Sequence, residues 1–224
     1  MKPTETLARE TTPDGEELAL TRRDRVYLLS IGGMELMTSR AHGSEDALAR
    51  LAYEALGNRK APRVLIGGLG FGYTLRAALD HLPPGGHIVV SEFFASLLEW
   101  NRGVLADLAG HPLEDRRVQA VRADIWDRLD AGDRFDVILL DVDNGPEAFT
   151  LRANNRLYTP AGLDRLRNAL TPGGVLAVWS AHPSPDFERR LRRAGFDASS
   201  KHVSARTGVG GKGRKDTIFL ARRT

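Results

Sequence analysis

Arg63-Val64-Leu65-Ile66 runs straight into Gly67-Gly68-Leu69-Gly70-Phe71-Gly72, and Glu92 closes the next apolar run, His87-Ile88-Val89-Val90-Ser91. A short apolar stretch, a glycine turn, a helical segment, a second apolar stretch and then an acid confine this part of the chain to a parallel strand–helix–strand unit. The glycines let the backbone turn tightly and approach a nucleoside closely. An acid at the tip of the following strand can accept both ribose hydroxyls. We therefore expect a nucleoside cofactor held by Gly67, Gly68, Gly70, Gly72 and Glu92.

The same alternation continues through the chain. Strand 63–67 leads to a helix near 72–82, strand 87–91 to a helix near 94–108, strand 118–122 to a short helix near 125–131, and strand 135–141 to a long loop. Thr159 is placed to cap a helix over 160–170, with Pro160 at its first position. Pro172-Gly173-Gly174 then opens strand 175–180, and helix 185–194 follows. Two extended stretches, 196–204 and 216–222, flank a hairpin tip at Gly208–Lys215 and read as an antiparallel pair closing a mostly parallel sheet. Upstream, Ser44 reads as an N-cap, with Glu45 and Asp46 in the first turn complementing the helix dipole. Before it, 17–21, 25–31 and 34–38 are extended, with Gly32-Gly33 as a turn, and 1–15 reads as a frayed leader. We expect an α/β chain in two parts: residues 1–43, a leader and small β-hairpin module, and 44–224, a Rossmann-like domain.

Composition narrows the chemistry. None of the 224 residues is cysteine, which removes disulfides, thiolate zinc sites and cysteine nucleophiles, and with them the usual cysteine-dependent pyrimidine methylation. No apolar run reaches the roughly 20 residues of a membrane helix, and the N-terminus has no apolar signal core. The expectation is a soluble cytoplasmic protein with no membrane partner. The net charge of +3 is carried largely by arginine. In 185–194 the apolar Phe187, Leu191 and Ala194 recur at helical spacing, so the arginines between them belong to a solvated face and no nucleic-acid partner is expected.

Glycine turns of this kind serve both NAD and S-adenosylmethionine. Three features favour the second: the antiparallel tail, Asp124 at a third strand tip where an adenine amino group would sit, and Asp141 at a fourth tip facing the reaction centre. Ligands of open α/β sheets lie beyond the carboxyl ends of the strands, where these tips converge. Asp124 also has the position of a cap for the short helix after it. Burying Asp141 unpaired would cost several kcal/mol, so a purely structural role would require a partner. Asp141, Asp143 and Asn144 make too thin a shell for magnesium, and no metal site is expected.

Through Val64–Leu75, Asp136–Asp141 and the run from Leu157-Tyr158-Thr159 to Pro172-Gly173-Gly174-Val175-Leu176, the chain resembles the spermidine synthase family, the aminopropyltransferases that share the S-adenosylmethionine methyltransferase fold. The resemblance covers nearly the whole chain. It implies the methyltransferase-type Rossmann-like fold, Glu92 on the ribose, Asp124 on the adenine and Asp141 beside the transferred group. It also implies motifs that are altered here. The acid of the family's Gly-Gly-Gly-Asp-Gly-Gly loop is replaced by Gly70. The second acid after the fourth strand aligns with Asn144 unless Asp143 substitutes. Ser44-Glu45-Asp46 stands where the family has Tyr-His-Glu.

A site that has lost acids suits the carboxylate of intact S-adenosylmethionine, received by backbone N–H groups at a helix N-terminus. The leading expectation is therefore methyl transfer from S-adenosylmethionine to a small-molecule acceptor, with Asp141 or Asp143 positioning or deprotonating that acceptor. The first alternative is aminopropyl transfer from decarboxylated S-adenosylmethionine. The second is a non-catalytic nucleoside-binding homologue, and an NAD-dependent reductase comes last. Strand edges in the N-terminal module suggest a homodimer.

Overall fold

The computed structural model describes residues 3–142, 145–146, 152–205 and 214–224, with backbone alone at 152–153. The chain divides into two compact units, Met1–His42 and Gly43–Thr224.

The first unit is a four-stranded antiparallel meander of β1 (Glu5–Thr11), β2 (Glu17–Arg23), β3 (Val26–Ile31) and β4 (Met34–Thr38), paired in chain order. Gly32 and Gly33 both take positive φ, 54° and 78°, the geometry a two-residue hairpin turn demands. The frayed leader expected over 1–15 is corrected: Glu5–Thr11 is a paired strand. Its polar sequence conceals it because backbone pairing with β2 and the cross-strand ion pairs Arg9–Glu17 (3.0 Å) and Arg22–Glu5 (2.8 Å) hold it at the sheet edge.

The second unit opens with α1 (Gly43–Leu56) and carries a seven-stranded sheet. In chain order its elements are β5 (Arg63–Gly67), α2 (Tyr73–His81), β6 (His87–Glu92), α3 (Ala95–Arg102), β7 (Val118–Arg122), α4 (Ile125–Leu129), β8 (Phe135–Leu140), α5 (Pro160–Ala169), β9 (Leu170–Ser180), α6 (Pro185–Arg193), β10 (Phe196–Ser204) and β11 (Lys215–Arg223). The spatial order is β10-β11-β9-β8-β5-β6-β7. β5 to β9 run parallel, and β11 is inserted antiparallel between β9 and β10. The sequence predicts the antiparallel pair, and the structure adds that the last strand lies inside it.

Continuous apolar runs such as Val64-Leu65-Ile66 and Val137-Ile138-Leu139-Leu140 feed both faces of the sheet, as buried parallel strands require. Val64, Ile66, Val137 and Leu139 pack with α1 and α2, whereas Leu65, Ile138 and Leu140 pack with α4, α5 and α6. Thr159 caps α5 by accepting from the Gly162 N–H (3.2 Å), and Ser184 caps α6 by accepting from the Phe187 N–H (3.1 Å). The arginines of α6 pair with its own acids, Arg189 with Asp186 and Arg192 with Glu188. The helix expected over 94–108 breaks at Gly103 into α3 and a 3-10 turn at Ala106–Ala109.

Candidate active site

β5 and β8 are neighbours whose chain connections leave in opposite directions along the sheet, so a crevice opens beyond their carboxyl ends. The glycine loop and Asp141 meet there. The Asp141 N–H donates to the Gly67 carbonyl (3.0 Å), and the Gly68 N–H donates to Ser91 O at the tip of β6 (2.9 Å). Gly68 has φ +86°, and a Cβ on it would lie 2.3 Å from the Asp141 carbonyl oxygen, so only glycine fits. Buried Asn101 of α3 clamps the loop from the other side, donating to Gly70 O and Leu97 O (both 2.8 Å).

Glu92 is built into this loop rather than suspended above it. Its Oε2 accepts from the Leu69 N–H and its Oε1 from the Phe94 N–H, both at 2.8 Å, and the residue is 4% exposed. An ionised carboxylate offers about four acceptor positions, so these bonds orient Glu92 and leave acceptor capacity for hydroxyl groups. Phe93, beside it, is an exposed aromatic at the mouth of the crevice.

At the next tip, Asp124 caps α4 by accepting from the Trp126 N–H (2.8 Å), and its other oxygen pairs with Arg156. Arg156 and Arg165 both lie over the Trp126 ring, 4.9 and 4.1 Å from its centroid. The capping geometry read from the sequence is thus present at Asp124. Asp143, together with Asn144, lies outside the described residues, as does most of the hairpin tip at Gly208–Lys215.

The centre of the site is a group of carboxylates drawn from distant parts of the chain. Asp141 follows β8 and accepts a hydrogen bond from the Thr74 hydroxyl of α2 (2.6 Å). Glu45, in the first turn of α1, accepts from the Ser44 hydroxyl (2.7 Å) and is nearly buried. Asp216 is fully buried at the start of β11. Because β11 runs antiparallel to β9, with Thr217 opposite Ser180, its beginning lies at the same end of the sheet as the glycine loop. Asp216 Oδ1 accepts from Arg214 Nε (2.9 Å).

Burial pushes the Glu45 carboxyl up to about 8, and the negative fields of Asp141 and then Asp216 push it the same way. Burial likewise raises Asp141, with Asp216 adding to the rise and the Thr74 hydroxyl opposing it. Three acids crowded this closely share protons and titrate together.

Sequence reading missed Asp216 and Thr74 and read Glu45 only as a dipole-complementing acid. One signal was available for Glu45: it stands where the resembled family carries a polar motif. The expectation that the site has lost acids is corrected, because carboxylates from α1 and β11 arrive where the glycine loop and the β8 loop lack them. Among the described residues no group of three or more acids or histidines has the arrangement of a metal site.

The sheet order, the glycine turn and the antiparallel tail define a Rossmann-like fold of the S-adenosylmethionine methyltransferase type. No protein-family model and no curated protein matches this sequence. Among solved structures the chain is similar to the spermidine synthase from Thermotoga maritima, with a TM-score of 0.76 and 18% identity over 98% of this chain and 73% of the other. It is also similar to a spermidine synthase in complex with the transition state analogue AdoDATO, with a TM-score of 0.74 and 19% identity over 98% and 72%. The chain has the spermidine synthase-like fold. Methyl transfer, favoured above because Gly70 replaces an acid, is corrected by this finding: both neighbours are spermidine synthases, one holding a transition state analogue, and they favour the aminopropyl alternative.

Proposed function

We propose that this protein is an aminopropyl-type transferase that joins a short alkylamine carried on a decarboxylated S-adenosylmethionine to a small amine acceptor. The observation that carries this reading is the convergence of Glu45, Asp141 and Asp216 beside the glycine loop, with Arg214 the only cation bonded to them among the described residues. Such a trio repels the carboxylate of intact S-adenosylmethionine and attracts ammonium groups.

On this reading Gly67, Gly68, Gly70 and Gly72 admit the nucleoside, Glu92 takes the ribose hydroxyls, and Phe93 offers a ring face to the base. Asp124 remains the candidate for the adenine amino group, with Arg156 as its competitor. When bound, the decarboxylated cofactor supplies a propylamine carbon on a sulfonium leaving group. Asp141 holds the acceptor nitrogen in line with that carbon and takes the proton released as the carbon–nitrogen bond forms. Its raised pKa makes it a stronger base than an ordinary aspartate. Asp143, adjacent in sequence, is the second candidate for that proton. Glu45 and Asp216 offset the positive charge of the bound amines. The same reading includes a homodimer, since the outer strands of the N-terminal sheet carry edges that pairing would protect.

The test is turnover. Purified protein is incubated with decarboxylated S-adenosylmethionine and a panel of primary amines, and products are followed by mass spectrometry. The reading predicts amine-dependent release of methylthioadenosine together with an acceptor heavier by one aminopropyl group. Methylated acceptor and S-adenosylhomocysteine from intact S-adenosylmethionine alone would contradict it.

A further inference from the structure

The acid trio holds an unanswered hydrogen-bonding demand. Asp216 is fully buried and repels both other acids, so its carboxyl faces them, yet its Oδ2 has no hydrogen-bond partner. The indole N–H of Trp179, in the core cluster packed against α1, is likewise buried without a partner. Unsatisfied buried polar atoms cost stability, and their presence on this side of the sheet points to a ligand that completes them.

The groups around Glu45 are acidic or neutral on every side. From β8 comes Asp141, from β11 Asp216 and from α2 Tyr73. β9 contributes Trp179 and β10 contributes Val203, while Ser44 and Asp46 flank Glu45 on α1. The nearest cation, Arg214, is spent on Asp216. An empty site therefore relieves its own repulsion by holding a proton, and a cation that enters makes that proton unnecessary.

Building on the transfer reading above, we propose that docking of a cationic amine against Glu45, Asp141 and Asp216 expels one proton from Glu45, which makes Glu45 the residue that selects a charged amine over a neutral isostere. The exchange is balanced: a carboxylic acid and an alkylammonium become a carboxylate–ammonium contact, and one proton leaves to solvent. A neutral alcohol of the same length leaves Glu45 protonated and gains no ion contact.

The experiment is calorimetric titration of the full chain with 1,4-diaminobutane at neutral pH in buffers of different ionisation enthalpy, which counts protons exchanged on binding. Wild type should release about one proton per diamine, and affinity should tighten with rising pH by up to about tenfold per unit below the Glu45 transition. Glu45→Gln, an uncharged isostere that keeps the packing, should bind at least about tenfold more weakly with no proton release. Glu45→Asp should restore the release. An unchanged proton count in Glu45→Gln, or diamine binding to wild type without proton release, overturns this inference and leaves the transfer reading standing. No diamine binding to wild type, and no transfer to any amine, overturns both.

Discussion

β8 carries an acid near its start and ends at another, and the two live under opposite conditions. Asp136 accepts from Arg59 Nη1 (2.9 Å), from the Arg63 backbone N–H (2.9 Å) and from the Thr171 hydroxyl (2.8 Å). It ties together the starts of β5, β8 and β9, with a cation on hand. Asp141, five residues further on, has a single hydroxyl bonded to its carboxyl and faces two more acids. The same residue type on one strand serves structure where donors surround it, and is left under-satisfied where the sheet opens to a ligand. A carboxylate short of donors at the carboxyl end of a parallel sheet is a better marker of function than a carboxylate that is merely buried.

The largest effect that would test this contrast is on turnover. Asp141→Asn should lower the transfer rate by about 10²–10⁴-fold, the usual contribution of a positioned base, while leaving thermal stability equal or higher because repulsion is relieved. Steady-state kinetics and a melting curve on the same preparation read both quantities, and an unchanged rate would erase the distinction between the two acids. Asp136→Ala should do the reverse. It strands the Arg63 N–H and the Thr171 hydroxyl and should cost roughly 2–4 kcal/mol in urea denaturation, with the turnover of the folded fraction near wild type.

A third, somewhat smaller effect is on stability against pH. The folded-state pKa of Glu45, about 8, is raised above its unfolded value. Between those values the folded protein binds more protons than the unfolded chain, so stability falls as pH rises. The contribution is fully present below the unfolded carboxylate pKa and is lost as pH passes through about 8. Wild type should lose on the order of 1–3 kcal/mol across this window, and Glu45→Gln should flatten the curve. A wild-type curve that is flat or rises with pH would contradict the crowding of acids at this end. The smallest effect belongs to Thr74→Val, which removes the one hydroxyl bonded to Asp141. It should shift the acidic limb of the pH–rate profile upward by up to about one unit, with about 1 kcal/mol or less of stability lost. No shift would mean that Thr74 does not tune Asp141.

Much of the second unit is legible in the sequence because its signals are local. The runs ending at Gly67, Glu92 and Leu140, the Thr159–Pro160 helix start and the glycine turn each declare themselves within a few residues. Gly68 is the clearest case: the motif asks for glycine, and the carbonyl of Asp141 leaves no room for anything else. The failures are non-local. β1 is concealed because its partners, not its apolar pattern, make it a strand. Asp216 is concealed because its place at the crevice depends on β11 entering antiparallel between β9 and β10, a matter of strand order rather than composition. Glu45 is visible as a helix-start acid, but its meaning rests on Asp141 and Asp216 arriving opposite it. Counting acids only within the resembled motifs led to the methyl-transfer expectation, since the replacements come from other elements of the fold.

The central claim is that the crevice is anionic enough to choose an ammonium over a carboxylate at the end of the cofactor. Parallel calorimetric titrations with S-adenosylmethionine and its decarboxylated form compare ligands that differ at that end alone. The account predicts that the decarboxylated form binds at least about tenfold more tightly, a difference of about 1.4 kcal/mol. Equal or tighter binding of the intact form would contradict it.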